Sequence, residues 1–381
     1  MNAQFRIATE KTLFAMPETK IGYCPDVGAS YFLSRVDGEI GTYLALTGDA
    51  ISGRAVLYVT TLAYPAHWKA DMYCYSEHGF ATHYVPSRRI PALLERLAAL
   101  ESPTYTMIND LLEQERFDAE DSTGAATSIV GVKREAVDEA FKYNTVEKII
   151  ESLTGMSQSH KDEGIRQWAA STLETLALRS PTSLKVALTA IRRGKQMTLL
   201  EALQMEMNIA TAFCVSYRFF PKFYPSVTHE SPFLQSGGSP DFHTGVTTLL
   251  VKKIKERPAW SPSRLEEVED SKILETFFSK FSPEHKTAPE PTPPPYLPKP
   301  TELGDPMRYA LPTEAEIQAM VDGSHRNSGA TSITLDELLA KFARLRGNKA
   351  GVREKILEVA QRKCEQEADK HTDKMWLKWK P

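Results

Sequence analysis

The chain is poor in cysteine. Its 381 residues include only Cys24, Cys74, Cys214 and Cys364, with no CxxC pair and no Cys/His metal spacing. That excludes a zinc ribbon and a disulfide-stapled scaffold, and it points to a reducing compartment. No apolar run approaches the ~20 residues needed to span a bilayer, so no membrane partner is expected. Net charge is also scarce: formally -3 at pH 7, with a pI near 6.3. Such a balance supplies no global attraction to nucleic acid or anionic lipid. The chain has no GxSxG elbow, GxxxxGK(S/T) loop, GxGxxG fingerprint or HExxH helix, so the common nucleophile, phosphate, dinucleotide and zinc signatures are missing. The N-terminus has neither the basic-then-apolar order of a signal peptide nor the arginines of a transit peptide.

What is present suits a globular protein. Hydrophobic residues make up 41% and charged residues 25%, enough for a sizeable core in one large or two ordinary domains. Apolar residues begin at once, with Phe5, Ile7, Leu13, Phe14 and Met16, so the start reads as the middle of a domain. Alternation predicts short strands at 4–8 and 12–15, then a turn through Gly22, Pro25 and Gly28. Residues 29–47 have helical spacing, split by Gly38 and ended by Gly48. A strand is expected at 78–85, before Pro86. Helices are expected from Ile90 onward and at 134–142, 145–153, 161–179, 182–193 and 198–213. Thr198 with Glu201 makes a capping box, whereas Thr145 caps alone.

Residues 283–306 form a proline-rich linker, PEPTPPPYLPKP at its centre. It reads as an extended spacer, with an SH3-type ligand as the alternative. Beyond it, 307–381 is expected to be a helical region with helices at 313–322, 334–346 and 350–369. Thr334 with Glu337 is a second capping box. Trp376 and Trp379 in the tail are expected to dock on apolar surface. No internal repeat is visible.

Few residues are arranged for chemistry. His67, His78 and His83 lie close in sequence without a metal spacing, and read as surface or hydrogen-bonded histidines. The informative stretch is FAMPETKIGYCPDVGASYFL, residues 14–33. Glu18 and Asp26 stand eight apart, each beside a proline and flanked by apolar residues. Desolvation raises a carboxyl pKa, and such a pair can divide acid and base roles. Plainer readings stay open: Glu18 in the first turn of a helix, and Asp26-Val27-Gly28 as an ordinary turn.

The string FRIATEKTLFAMPETKIGYCPDVGASYFLSRVDGEIGTYLALTG resembles the central signature of 3-hydroxyisobutyryl-CoA hydrolases, of the crotonase (enoyl-CoA hydratase/isomerase) superfamily. GFATHYVPS at 79–87, SPTSLKVAL at 180–188, EALQMEMNIA at 201–210, PDFHTGV at 240–246 and the final MWLKWKP are similar as well. The resemblance implies an α/β fold: over 1–282 the C-terminal part of a crotonase-like ββα spiral, followed by the linker and the mainly helical region. It implies catalytic and substrate-binding roles for Glu18 and Asp26. Glu18 would attack the thioester carbonyl or activate water. Asp26 would bind the substrate hydroxyl or place the water. The implied reaction is hydrolysis of 3-hydroxyisobutyryl-CoA in mitochondrial valine degradation, with an acyl-CoA as partner and neither metal nor redox cofactor. Relatives of the family also serve in the small subunit of the mitochondrial ribosome, which makes a structural role the alternative. A hydratase or isomerase is a third reading. Asp26 stands where hydratases usually carry glycine, and this disfavours it.

The chain departs from the family pattern in three places. The family's oxyanion-hole glycines precede the segment matching Gln4-Phe5-Arg6, so the chain reads as truncated at its N-terminus, inactive alone and poorly soluble. Stretches at about 57–71 and 215–238 look inserted. Leu57-Tyr58-Val59 and Val215-Ser216 are encodable with intron-donor sequences, so retained introns are one explanation and surface loops the other. Gly28-Ala29-Ser30 replaces a run of glycines, but its small side chains still allow close backbone approach.

Overall fold

The computed structural model describes residues 3–52, 80–115, 129–214, 239–279, 291–292, 308–329, 332–369 and 374–380. Both stretches that look inserted lie outside these residues, as do nearly all of the linker, Cys74, His67 and His78. Helices dominate and strands are short. Among the described residues no helix is long and apolar enough to cross a membrane. The chain divides into two compact units, one of residues 15–50 and 136–297, the other of 1–14, 51–135 and 298–381.

The first unit is helical. Its centre is helix Pro181–Gly194, where Leu184, Val186, Ala187, Leu188, Ala190 and Ile191 are all buried. A helix buried all round needs neighbours on every side, and it packs on Ala29–Leu33, Ile40–Thr47 and Val146–Ser159. Its start is set locally: Pro181 fits the first helical position, and the Ser180 hydroxyl accepts from the Ser183 N–H at 3.0 Å. Thr145 and Asp162 cap Val146–Ser159 and Glu163–Ala177 in the same way, accepting from Lys148 and Ile165. Thr198 and Glu201 close the expected capping box before Leu199–Cys214. These helices match the predicted ones to within a few residues at most ends; Val146–Ser159 runs six residues further than expected.

The second unit opens with a parallel strand pair, Ile7 opposite His83 and Ala8 opposite Tyr84. Helices Ile90–Ala98 and Tyr105–Gln114 follow, burying Leu93, Leu111 and Leu112 against Val85. His83 is buried and hydrogen-bonded, as one reading held. Its Nδ1 lies 3.0 Å from the Thr82 hydroxyl, and its Nε2 lies 3.2 Å from Asn109 Oδ1 and 3.3 Å from Glu113. Burial pushes its pKa down, against the pull of Glu113.

Helices Glu314–Val321, Leu335–Leu345 and Val352–Lys363 surround a core that includes Ile317, Met320, Leu338, Phe342, Ile356 and Val359. The helix expected over 350–369 is shorter in the structure. It stops at Lys363, and Cys364–Ala368 turns into a strand antiparallel to Met375–Trp379. Glu365, Gln366, Glu367 and Ala368 are good helix formers, but the partner strand overrides that preference. Its alternating pattern drives Leu377 and Trp379 toward the core, and the Leu377 N–H donates to the Ile333 carbonyl at 2.9 Å. Of the two tail tryptophans, Trp379 packs on that core, while the Trp376 indole N–H donates to Asp369.

Candidate active site

The site is built on residues 17–30 of the helical unit. After Pro17, Glu18–Ile21 forms a 3-10 helix whose end is turned by Gly22 at φ 76°. Two contacts fix this short element from outside. The buried Thr19 hydroxyl donates to the Leu46 carbonyl at 3.1 Å, tying it to helix Ile40–Thr47. On the other side, a Cβ on Gly22 would lie 2.3 Å from the Asp241 carbonyl oxygen, so the 3-10 helix and helix Asp241–Gly245 meet backbone to backbone. Only glycine permits both the close approach and the left-handed turn. Asp241 is held in turn by the Ser180 hydroxyl at 2.5 Å and the Ser261 N–H at 2.8 Å. The PDF and SPT segments, 60 residues apart in the chain by Ser180 and Pro240, thus form one brace behind Glu18.

Glu18 does sit in the first turn of a helix, as the plainer reading held. Its side chain is not satisfied there. Among the described residues its Oε2 is buried without a hydrogen-bond partner. Burial pushes the carboxyl above its ordinary range. The bond from its own backbone opposes this, and the charge of Asp26 adds to it.

Asp26 is half-buried, and its Oδ2 accepts from the Tyr23 hydroxyl at 3.0 Å. Tyr23 is clamped edge-on by Phe213 at 5.3 Å and tilted against Phe242 at 4.8 Å. Burial drives its phenol pKa strongly up, so it stays a donor. The backbone after Asp26 is indeed a turn: the Ala29 N–H donates to the Asp26 carbonyl at 3.0 Å. Yet both central residues are left-handed, Val27 at φ 54° and Gly28 at φ 92°. Glycine tolerates this; a β-branched valine does not, at a cost on the order of 1–3 kcal/mol. Val27 is also 82% exposed, which leaves an apolar side chain in the open beside two carboxylates.

A third carboxylate lies beneath the turn. Glu206, on helix Leu199–Cys214, is 3% exposed. Its Oε2 accepts from the Gly28 N–H at 2.6 Å, and its Oε1 accepts from the Ser30 N–H at 2.8 Å and the Ser30 hydroxyl at 2.6 Å. Burial raises its pKa, the three donors oppose the rise, and the Asp26 charge adds to it. Cys24, fully buried beside these acids, has its thiol pushed well up by burial and by the charges of Asp26, Glu206 and Glu18. That disfavours a thiolate nucleophile.

Glu18 and Asp26, the two acids expected from the sequence, are thus brought close enough for one charge to perturb the other. Tyr23 and Glu206 were not foreseen. Tyr23 lies inside the informative stretch, but nothing local marks its hydroxyl as the partner of Asp26. Glu206 did leave a signal. It falls on the apolar stripe of its helix, with Ala202, Met205, Ile209 and Phe213, where a carboxylate must find buried donors. Among the described residues no group of three or more His, Cys, Asp or Glu is arranged to hold a metal ion.

A family model described as enoyl-CoA hydratase/isomerase matches residues 1–67 and 68–278. The small ribosomal subunit protein mS47 of Neurospora crassa is 32% identical over 374 residues, 95% of this chain and 62% of that protein. The mitochondrial 3-hydroxyisobutyryl-CoA hydrolase of Danio rerio is 35% identical over 283 residues, 73% of this chain and 59% of the enzyme. That of Homo sapiens is 34% identical over 286 residues, 75% of this chain and 61% of the enzyme. The chain therefore spans about six-tenths of the length of these relatives. A crystal structure of a carnitinyl-CoA dehydratase from Mycobacterium thermoresistibile superposes with a TM-score of 0.51 at 26% identity, over 74% of this chain and 63% of that one.

Proposed function

Because the chain belongs to the enoyl-CoA hydratase/isomerase family, we propose that Glu18 and Asp26 serve the hydrolysis of an acyl-CoA thioester, 3-hydroxyisobutyryl-CoA, to 3-hydroxyisobutyrate and coenzyme A. The observation that carries this reading is the buried, unpartnered Oε2 of Glu18 beside a second carboxylate. A desolvated carboxylate with a free lone pair is a base or a nucleophile. As base, it takes a proton from water while the water oxygen bonds to the thioester carbon. The tetrahedral oxyanion then collapses, the C–S bond breaks, and the departing thiolate receives the proton from Glu18. As nucleophile, its oxygen bonds to the thioester carbon, the C–S bond breaks and CoA leaves as the thiolate; water then opens the resulting anhydride, freeing Glu18 and the acid, and the proton lost from water goes to the thiolate. Either route needs N–H donors for the oxyanion, and neither needs a metal or redox cofactor. Asp26 accepts from the Tyr23 hydroxyl at Oδ2, which leaves Oδ1 to accept from the 3-hydroxyl of the substrate. The hydrolase relatives are named as mitochondrial, which supports a mitochondrial site for the reaction.

Asp26→Asn tests the role of the second acid. In the full-length protein, its kcat/KM for 3-hydroxyisobutyryl-CoA is expected to fall about 10- to 100-fold, the worth of a hydrogen bond to a charged acceptor. Its preference over isobutyryl-CoA, which lacks the hydroxyl, should shrink with it. Unchanged preference would remove Asp26 from the hydroxyl site.

One observation favours a second reading, a component of the small subunit of the mitochondrial ribosome. The family model stops at residue 278, and the hydrolases match only about three-quarters of the chain. The ribosomal relative leaves out 5% of the chain, about 19 residues, far fewer than the 103 that follow residue 278. The ribosomal relative therefore matches part of the chain that the hydrolases do not. Gradient sedimentation of mitochondrial lysate separates the two. Co-migration with the small subunit, lost when residues 308–381 are deleted, supports the ribosomal role. A chain at the top of the gradient that carries thioesterase activity supports the hydrolase alone.

A further inference from the structure

The turn that carries Asp26 needs an external support. Its central pair, Val27 and Gly28, are both left-handed, and a valine keeps that conformation only where surrounding groups over-determine it. The turn's own hydrogen bond, from Ala29 to Asp26, does not select this form, because common turns without left-handed residues close with the same bond. The Tyr23 hydroxyl holds the side chain of Asp26, not the backbone beside it. The support comes from Glu206, 178 residues from Gly28 in the chain, whose two oxygens take the Gly28 and Ser30 N–H groups and the Ser30 hydroxyl.

The Gly28 and Ser30 N–H groups can only donate, one to each oxygen of Glu206, so both oxygens must accept. A glutamine would turn its NH2 toward at least one N–H, and a buried donor facing a donor is expelled or leaves its place. The carboxylate is fixed in turn, because Ala202, Met205, Ile209 and Phe213 bury its helix face.

We propose that Glu206 is a positioning residue of this site. It does not touch substrate. It locks the strained Val27–Gly28 turn, and so decides where Asp26 stands and how well the site recognises a 3-hydroxyacyl group. This rests on the hydrolase reading for its catalytic consequence but not for the lock itself, and the test keeps the two apart.

The test compares the full-length protein with its Glu206→Gln variant by amide hydrogen exchange and by kcat and KM on 3-hydroxyisobutyryl-CoA and isobutyryl-CoA. Exchange at Gly28 and Ser30 should quicken about tenfold or more, the worth of one lost hydrogen bond, while helix Val146–Ser159 exchanges as before. Preference for the hydroxylated substrate should fall about 10- to 100-fold, mainly in kcat, as expected of a misplaced group. A merely structural glutamate would lower the amount of folded enzyme and leave that preference intact, and this result would overturn the proposal. Unchanged exchange at Gly28 and Ser30 would overturn it equally. Absence of turnover in the unmutated protein sinks the hydrolase reading instead, and the exchange measurement then decides the lock by itself. If the glutamine variant does not fold, Ser30→Ala removes one donor and keeps the rest. It should show the same two changes at about a third of their size or less on a logarithmic scale, one donor in three being lost.

Discussion

Glu18→Gln is expected to abolish thioester turnover, by about a thousandfold or more, while leaving the fold intact and slightly more stable. The rate loss is that of removing a general base or nucleophile. The gain in stability follows from the state of its carboxyl. Burial has raised its pKa above the ordinary 4.5, and one oxygen has no partner. For an acid whose pKa is higher folded than unfolded, the favourable contribution is complete below the unfolded value. It is lost as pH rises through the folded one. At neutral pH the charge therefore opposes folding, and a neutral isostere relieves it. Relief of about 1 kcal/mol corresponds to roughly 2–4 °C in thermal midpoint. The same shift governs activity. Because Glu18 works as the anion, the acid limb of kcat/KM against pH should lie above the ordinary glutamate range. Calorimetry and a pH–rate profile check both parts. Wild-type turnover in the variant would remove Glu18 from the mechanism, and a lowered midpoint would mean that its charge is satisfied in the fold.

Glu314→Gln is expected to produce the largest loss of stability, in the unit that holds the C-terminal helices. Glu314 is the acid at the centre of a buried basic cluster. Arg134 Nη2 lies 2.9 Å from its Oε1, the Arg362 guanidinium reaches the same oxygen, and Lys355 is 1% exposed nearby. Burial pushes its carboxyl up, but Arg134, Arg362 and Lys355 outweigh that and hold it at about 2. Removing the charge takes one carboxylate from this buried cluster while Arg362 keeps its pair with Glu358, at a cost of about 3 kcal/mol, the lower end for breaking a buried pair. Here the pH sign is opposite to that of Glu18. A lowered pKa gives stability that is present above the unfolded value near 4.5 and lost as pH falls toward 2. Denaturant unfolding at neutral pH should show the loss. Unfolding between pH 4.5 and 2 should show the variant less sensitive to acid than the parent. A variant as stable as the parent at pH 7 would mean that the cluster is solvated.

The helices were legible because their signals are local. Capping by Thr145, Thr198 and Thr334 and burial at spacings of three and four lie within a turn or two of the residues they organise, and those helices begin close to where capping and periodicity put them. Residues 364–368 failed the same test for a physical reason. Their composition favours a helix, but their conformation is decided by the partner strand 375–379 and by the gain from burying Leu377.

The site divides along the same line. Two carboxylates beside prolines, in an apolar stretch that resembles a known signature, were enough to single out Glu18 and Asp26. The sequence by itself determined the helical framework and which acids were candidates, because capping, periodicity and turn chemistry act over a few residues. The tertiary structure alone decided that Glu18 keeps an unpartnered oxygen, that Tyr23 and Glu206 support Asp26, and that Asp241 braces the 3-10 helix from behind. Each of these depends on burial or on groups far apart in the chain meeting in one place. Desolvation and donor geometry have no fixed spacing in a sequence; they exist only once the helices have packed.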